Sequence, residues 1–227
     1  TVMIDTIIFN DIIHALFVLI LGTAALIINQ RSLTSLFNIY AAQSLILAVM
    51  AIVLFIEYGT LNLLFIAILT LAVKTIFIPL FLHKVLKRIS VKRDLQFMFL
   101  SPASSILISA ILIFVVYLFF TNIAGDLFAD RLILLGGVIG ISLALMGMMV
   151  IFSRKRVITK TVGYLTMENG VLLFSLFMAE MPFIIEILIV LDLLMIIVLS
   201  AVLAFGIDSG MEEFHKKLNR LGIWIED

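Results

Sequence analysis

The stretch that decides the fold is VITKTVGYLTMENGVLLFSLFMA, residues 157–179. It is long enough to cross a bilayer as a helix, since about 20 residues at 1.5 Å each span the hydrocarbon core. Its middle nevertheless carries Glu168, beside Thr166 and Asn169. A charge at the bilayer centre costs about 2.5–3.5 kcal/mol on insertion scales, so a carboxyl at this depth usually has a function. The stretch therefore predicts a transmembrane helix with a protonatable group at its centre.

The rest of the chain has the same apolar character. Hydrophobic residues make up 64% of its 227 residues, a share typical of membrane proteins and not of soluble domains. There is no cysteine, so no disulfide or thiolate metal site forms within the chain. Seven apolar stretches approach or exceed the spanning length, at about 7–30, 33–56, 61–83, 103–122, 131–153, 157–179 and 184–206. We expect an all-α, polytopic membrane protein with seven transmembrane helices.

The charged residues predict the orientation of these helices. Basic residues fall on alternate connections, at Arg31, 84–93 and 154–156, whereas the other connections and helix ends carry Glu57, Asp126, Asp130, Glu180 and Glu186. Lys and Arg mark the cytoplasmic side of a membrane protein. We therefore expect the N-terminus outside and the C-terminus inside. The polar segment 207–227 is predicted to be a short cytoplasmic amphipathic helix.

An internal repeat relates the two halves of the sequence. A shift of 125 residues places Gly22 on Gly147, Arg31 on Arg156, Thr34 on Thr159 and Gln43 on Glu168. Chance similarity is the alternative in so apolar a chain. The repeat divides the chain into a degenerate three-helix unit (1–83), a cytoplasmic connection with a linking fourth helix (84–130), a second three-helix unit (131–206) and the tail. Because glutamine keeps the hydrogen-bonding shape but cannot carry a proton, the second unit is predicted to be the active copy.

The fifth span carries small residues on one face. Gly136, Gly140 and Ala144 recur every four residues, and Gly147 follows. Small side chains let helix backbones approach closely, so this face predicts a tight helix–helix contact.

Lys74 is the charged residue at the centre of the third span, in LAVKTIFIP (71–79). Pro79 has no N–H to donate to the carbonyl of Thr75, so the helix should kink there. A lysine beside a broken helix is a frequent arrangement along ion paths. The alternative, snorkelling to the interface, is poor because Lys74 lies about ten residues from the inner helix end.

Further candidates extend this path. Asp192 lies at the depth of Glu168, and the two are predicted to form one proton-accepting site. Glu186 lies nearly two turns nearer the outside, Lys160 lies two turns from Glu168 toward the cytoplasm, and His83 lies at the inner end of the third span. The alternatives are a hydrogen-bonded structural carboxyl, a carboxylate at headgroup level and an interfacial histidine. No metal-ligand cluster, nucleotide loop or activated nucleophile is evident, so we expect neither catalysis nor a cofactor in this chain.

The last three spans resemble subunit K of respiratory complex I and the small three-helix subunit that is its counterpart in multisubunit cation/proton antiporters. The resemblance is carried by Glu168 with Asn169 and Gly170, and by Asp192 in the place of a second acid. The departures are a shorter connection between spans 6 and 7 and an aspartate instead of glutamate. On this resemblance, residues 131–206 form a subunit-K-like unit.

The whole chain resembles the hydrogenase-4 component E family. The residues that carry this resemblance are Lys74 with Pro79 and His83, the run TMENG (166–170) and the segment from Glu186 to Asp192. It implies a non-catalytic membrane-arm subunit of a complex-I-like oxidoreductase in the cell membrane, of the group 4 nickel–iron hydrogenase or formate hydrogenlyase type. The implied ion path comprises Glu168, Asp192, Lys74, Glu186, Gln43, His83 and Lys160.

The same resemblance implies partners that supply the redox chemistry. These are a peripheral hydrogenase-like arm with nickel–iron and iron–sulfur centres, and membrane subunits that include antiporter-like ones; nucleic acid is not expected. One alternative is a subunit of a cation/proton antiporter without a redox arm. A second is a seven-helix receptor or retinal protein, which the short loops and the lack of a lysine in the last span disfavour. A third is a spacer in which the buried charges only hold helices together.

Overall fold

A computed structural model of the chain describes residues 6–88, 101–124, 131–154 and 157–178, with Val190, Leu191, Leu194, Met195 and Ile197 in addition. Every element in these ranges is a helix, as predicted. Six of the described helices are long and apolar enough to cross a membrane, which is the character of a multi-pass membrane protein. The predicted seventh span and the tail at 207–227 fall largely or wholly outside the described residues.

The helices follow the apolar stretches closely. Their bounds are α1 Thr6–Asn29, α2 Leu33–Tyr58, α3 Leu61–Leu69, a π-helical segment π1 Thr70–Phe77, α4 Ile78–Arg88, α5 Pro102–Phe119, a second π-helical segment π2 Phe120–Ala124, α6 Arg131–Ser153 and α7 Val157–Met178. The third span differs from its prediction, because α4 continues past residue 83 to Arg88. Its last turns carry lysine and arginine, whose long side chains can reach a polar interface from a helix end.

Local signals explain two of these helix ends. Gly59 follows α2 in the left-handed conformation, with φ 69°, and its N–H donates to the carbonyl of Phe55 at 2.8 Å. Glycine adopts this conformation without a steric cost, so it ends the helix. Ser101 precedes α5, and its hydroxyl accepts a hydrogen bond from the N–H of Ser104 at 3.2 Å, with Pro102 in the first helical position.

The second half is built on a close contact between α6 and α7, as the small residues predicted. A Cβ added at Gly140 would lie 2.6 Å from the backbone nitrogen of Phe174, and one at Gly147 would lie 2.7 Å from the carbonyl oxygen of Gly163. Real Cβ atoms do not approach backbone this closely, so only glycine fits at either position. The two helices therefore contact backbone to backbone, and this fixes their relative position.

Side-chain contacts show which helix ends lie together. The guanidinium of Arg154, fully buried after α6, donates to the carbonyls of Ile28 and Gln30 at the end of α1. At this end the rings of Phe37 and His83 also meet, with centroids 5.4 Å apart. The connection at Arg31, the basic end of α4 and Arg154 therefore share one end of the bundle.

Helix α2 lies at the centre of the described helices. It contacts α1, α3, π1, α4 and α7, and most of its inward side chains are fully buried. The third span and the second half thus meet across α2, and polar side chains from all three lie at the middle of the bundle.

Candidate functional site

Lys74 and Glu168 form an ion pair at the middle of the bundle. Lys74 Nζ lies 2.8 Å from Glu168 Oε1, and the two side chains are only 4% and 0% exposed. Lys74 is near the midpoint between Leu61 and Arg88, and Glu168 is near the midpoint of α7. Both charges therefore lie at the depth that the sequence predicted, and each is the other's counter-ion.

The helix that carries Lys74 departs from α-helical geometry at this residue. Within π1 the backbone forms i→i+5 hydrogen bonds, and at its end the N–H of Ile78 donates to the carbonyl of Val73. The predicted break is therefore real, but it lies in the turns before Pro79. A proline removes one N–H from the ladder, and the preceding turns adopt a wider hydrogen-bonding pattern. Segments of π-helix are rare and often mark functional sites.

A network of neutral polar side chains adjoins the ion pair. The side-chain amide of Asn169 donates to Gln43 Oε1 at 3.2 Å and to Ser44 Oγ at 3.1 Å. Gln43 in turn donates to Thr23 Oγ1 at 3.2 Å. Gln43, Ser44 and Asn169 are fully buried. The network therefore links α7 to α2 and α2 to α1 at the level of the ion pair.

The adjacent positions of Glu168 and Asn169 explain the two directions of this cluster. Neighbouring residues on an α-helix project about 100° apart. Glu168 meets Lys74 on the third span, whereas Asn169 meets Gln43 and Ser44 on α2. One turn of α7 therefore presents a charged group to one neighbour and a neutral amide to the other.

Other predicted path residues lie away from this cluster. His83 is half-buried; its Nδ1 lies 2.8 Å from the carbonyl oxygen of Pro79, and its ring packs against Phe37. Lys160 is half-buried on α7, eight residues before Glu168, which is roughly 12 Å along the helix axis. Neither side chain is brought into the central cluster. Asp192 and Glu186, the remaining members of the predicted path, lie outside the described residues.

Two parts of the cluster were not predicted from the sequence. Thr23 and Ser44 were not identified as site residues, although each is a polar residue within an apolar span. A signal was present for Ser44, because the shift of 125 residues that pairs Gln43 with Glu168 also pairs Ser44 with Asn169. The buried role of Arg154 was also missed, since the residue counted only as a basic marker in a connection.

Comparison with protein-family models, curated proteins and solved structures finds no match to this chain. The class of protein therefore rests on the helices and the site: an all-helical membrane-type bundle with an ion pair and a neutral hydrogen-bond network at its centre.

Proposed function

We propose that this chain is an ion-translocating membrane-arm subunit of a complex-I-like, energy-converting oxidoreductase, of the group 4 nickel–iron hydrogenase or formate hydrogenlyase type. The observation that carries the proposal is the buried ion pair between Lys74 and Glu168 at mid-bundle. The resemblance of the TMENG run and of the Lys74–Pro79–His83 segment to hydrogenase-4 component E suggests the kind of complex.

The energetics of the ion pair favour a functional role. Removing two charges from water costs several kcal/mol per ion, and well-packed apolar residues of similar size are often as stable or more so. Helix association alone therefore does not require Lys74 and Glu168. A carboxylate that accepts a proton loses its charge, so the interaction with the neighbouring ammonium weakens within an apolar setting. The pair can thus couple the presence of a proton or cation to a change in local electrostatics.

The chain's part in the complex is translocation and not redox catalysis. We assign electron transfer and the nickel–iron and iron–sulfur centres to a peripheral arm, and continuation of the ion path to neighbouring antiporter-like membrane subunits. The seven-span count, with Asp192 and Glu186 as further path groups, is part of this proposal. So is location in the cell membrane.

The internal repeat is supported by the helix bounds. A shift of 125 residues carries α1 onto 131–154, against Arg131–Ser153 for α6, and carries the start of α2 onto 158, against Val157 for α7. Ser44 also contacts Asn169, its counterpart under the same shift. Contact between equivalent residues is expected near an axis that relates two parallel repeats. We propose that Glu168 belongs to the active copy and Gln43 to the neutral one.

The test of translocation is Glu168→Gln in the native assembly, reconstituted into proteoliposomes. The change keeps the size and hydrogen-bonding capacity of the side chain but removes its titration. We expect assembly and at least part of the redox rate to persist while ion uptake per electron is lost. Glu57→Gln is the matched control, since Glu57 is a half-buried carboxyl near the end of α2. Unchanged ion uptake per electron in Glu168→Gln would leave the charges as structural spacers.

The same preparation separates the redox complex from a stand-alone antiporter. The proteins that co-purify with the chain are identified by mass spectrometry. Hydrogenase-like subunits with bound nickel support the proposed complex. A set of antiporter subunits alone, with normal ion exchange and no redox activity, would replace it by the antiporter alternative.

Orientation can be tested with single cysteines, because the chain has none of its own. The basic residues grouped at one end of the bundle favour a cytoplasmic location for that end. A cysteine at Thr60, exposed before α3, should label in intact cells with an impermeant thiol reagent, and one at Arg31, exposed after α1, should label only after permeabilisation. The opposite pattern would reverse the proposed orientation.

A further inference from the structure

We propose that the amide pair formed by Gln43 and Asn169 is a proton barrier that confines the proton of Glu168 to the side of Lys74. This inference rests on the proposed function, since it concerns where an ion at Glu168 can go. It assigns a blocking role to the neutral network, whose members would otherwise be a remnant of the repeat.

The geometry places the barrier directly beside the ion pair. Asn169 follows Glu168 on α7, and both hydrogens of its side-chain amide are used, one for Gln43 Oε1 and one for Ser44 Oγ. Gln43 passes the network on to Thr23 through its own amide. Gln43, Ser44 and Asn169 are fully buried, so bulk water does not reach these groups.

Amides stop protons for a chemical reason. A hydroxyl, carboxyl or imidazole can accept a proton on one side and release one on the other, because each has a titratable or exchangeable form of low energy. A neutral primary amide has no titratable form near neutral pH, although it donates and accepts hydrogen bonds as well as a carboxyl does. Two consecutive amides therefore satisfy the buried polar groups and interrupt proton transfer between them.

The direction that the barrier closes leads to the outer surface of the bundle. Thr23, the last group of the network, is half-buried on α1, beside the exposed Gly22. A proton that reached Thr23 would have left the interior of the second half. Glu168 contacts Lys74 on its other side, so transfer toward the third span stays open. The arrangement prevents a short circuit through the first helix pair.

The test is the substitution Gln43→Glu, which places a titratable group in the barrier without changing its size. The native assembly is reconstituted with a pH-sensitive dye inside the vesicles, and a potassium gradient with valinomycin drives passive proton flow. This readout needs no redox turnover. We expect the passive proton permeability to rise several-fold in Gln43→Glu and to stay at the unmodified level in Gln43→Leu, which removes the amide but adds no titratable group.

A double variant shows whether the leak uses the proposed route. In Gln43→Glu combined with Glu168→Gln, permeability should return to the unmodified level, because the new carboxyl no longer has a proton donor beside it. A leak that persists in the double variant, or that appears equally in Gln43→Leu, would mean loosened helices and would overturn the barrier. If Gln43→Glu does not assemble, Asn169→Asp places the carboxyl at the other amide and is read in the same way.

The outcome separates this inference from the proposed function. Unchanged permeability in an assembled Gln43→Glu complex overturns the barrier, while loss of coupled uptake in Glu168→Gln would still support translocation. Unchanged coupled uptake in Glu168→Gln would overturn both.

Discussion

The helix pairs α1/α2 and α6/α7 begin at equivalent positions of the repeat but differ in how they pack. A Cβ added at Gly22 would meet nothing within 4 Å, whereas one added at its counterpart Gly147 would lie 2.7 Å from a backbone oxygen of α7. At mid-depth the first pair carries Gln43 and the second carries Glu168. The close-packed pair thus holds the charged group, and the looser pair supplies neutral hydrogen bonds.

This difference has a physical reason. A buried charge is tolerated only where its counter-ion and hydrogen-bond partners stay in place, because even a small separation weakens the interaction in an apolar setting. Backbone contact between α6 and α7 restricts the motion of Glu168 relative to its helix neighbour. Helix α7 is also the least apolar of the six spanning candidates and the most buried within the bundle. Its polar residues therefore face protein and not lipid.

The largest effect is expected from separating the charges of the second half. Lys74→Leu leaves the Glu168 carboxyl without the cation that it contacts, which should destabilise the assembly by about 3–5 kcal/mol. Lys74→Leu with Glu168→Leu should recover most of that loss, because no lone charge remains. Thermal unfolding of the purified assembly measures both. A double variant as unstable as the single one would mean that the pair is needed for folding itself.

A substitution in the first half provides the matched comparison. Gln43→Leu removes neutral hydrogen bonds to Thr23 and Asn169, and leaving such buried groups without a partner costs about 1–3 kcal/mol. The loss should therefore be smaller than for Lys74→Leu. An equal or larger loss would remove the energetic distinction between the charged and the neutral half.

The smallest effects are expected from a pair of glycine variants. Gly147→Ala inserts a methyl group against the backbone of α7, and overpacking of this kind costs about 1–3 kcal/mol. Gly22→Ala meets open space and improves helix propensity, so it should be neutral or slightly stabilising. The difference between their melting temperatures measures the packing contrast. Equal losses at the two positions would show that the first pair is packed as closely as the second.

The sequence predicted the helices well and the partners of the charged residues less well. Span positions follow from the number of residues needed to cross a bilayer, and the contact of α6 with α7 follows from Gly140 and Gly147. Both depend on local patterns. The contact of Lys74 with Glu168 depends on how distant helices rotate about their axes, which apolar sequences specify weakly because every face is hydrophobic. The prediction that Glu168 pairs with Asp192 concerns a residue outside the described ranges and stays a prediction.

The most direct test of the account is whether Glu168 changes its protonation state during turnover. Infrared difference spectroscopy of the native assembly, recorded between the resting and the active state, detects the C=O stretch of a protonated carboxyl. The account predicts a band that appears or disappears with turnover, that is lost in Glu168→Gln and that is kept in Glu57→Gln. A spectrum of the active complex with no carboxyl band that depends on Glu168 would contradict the central claim that this ion pair carries protons.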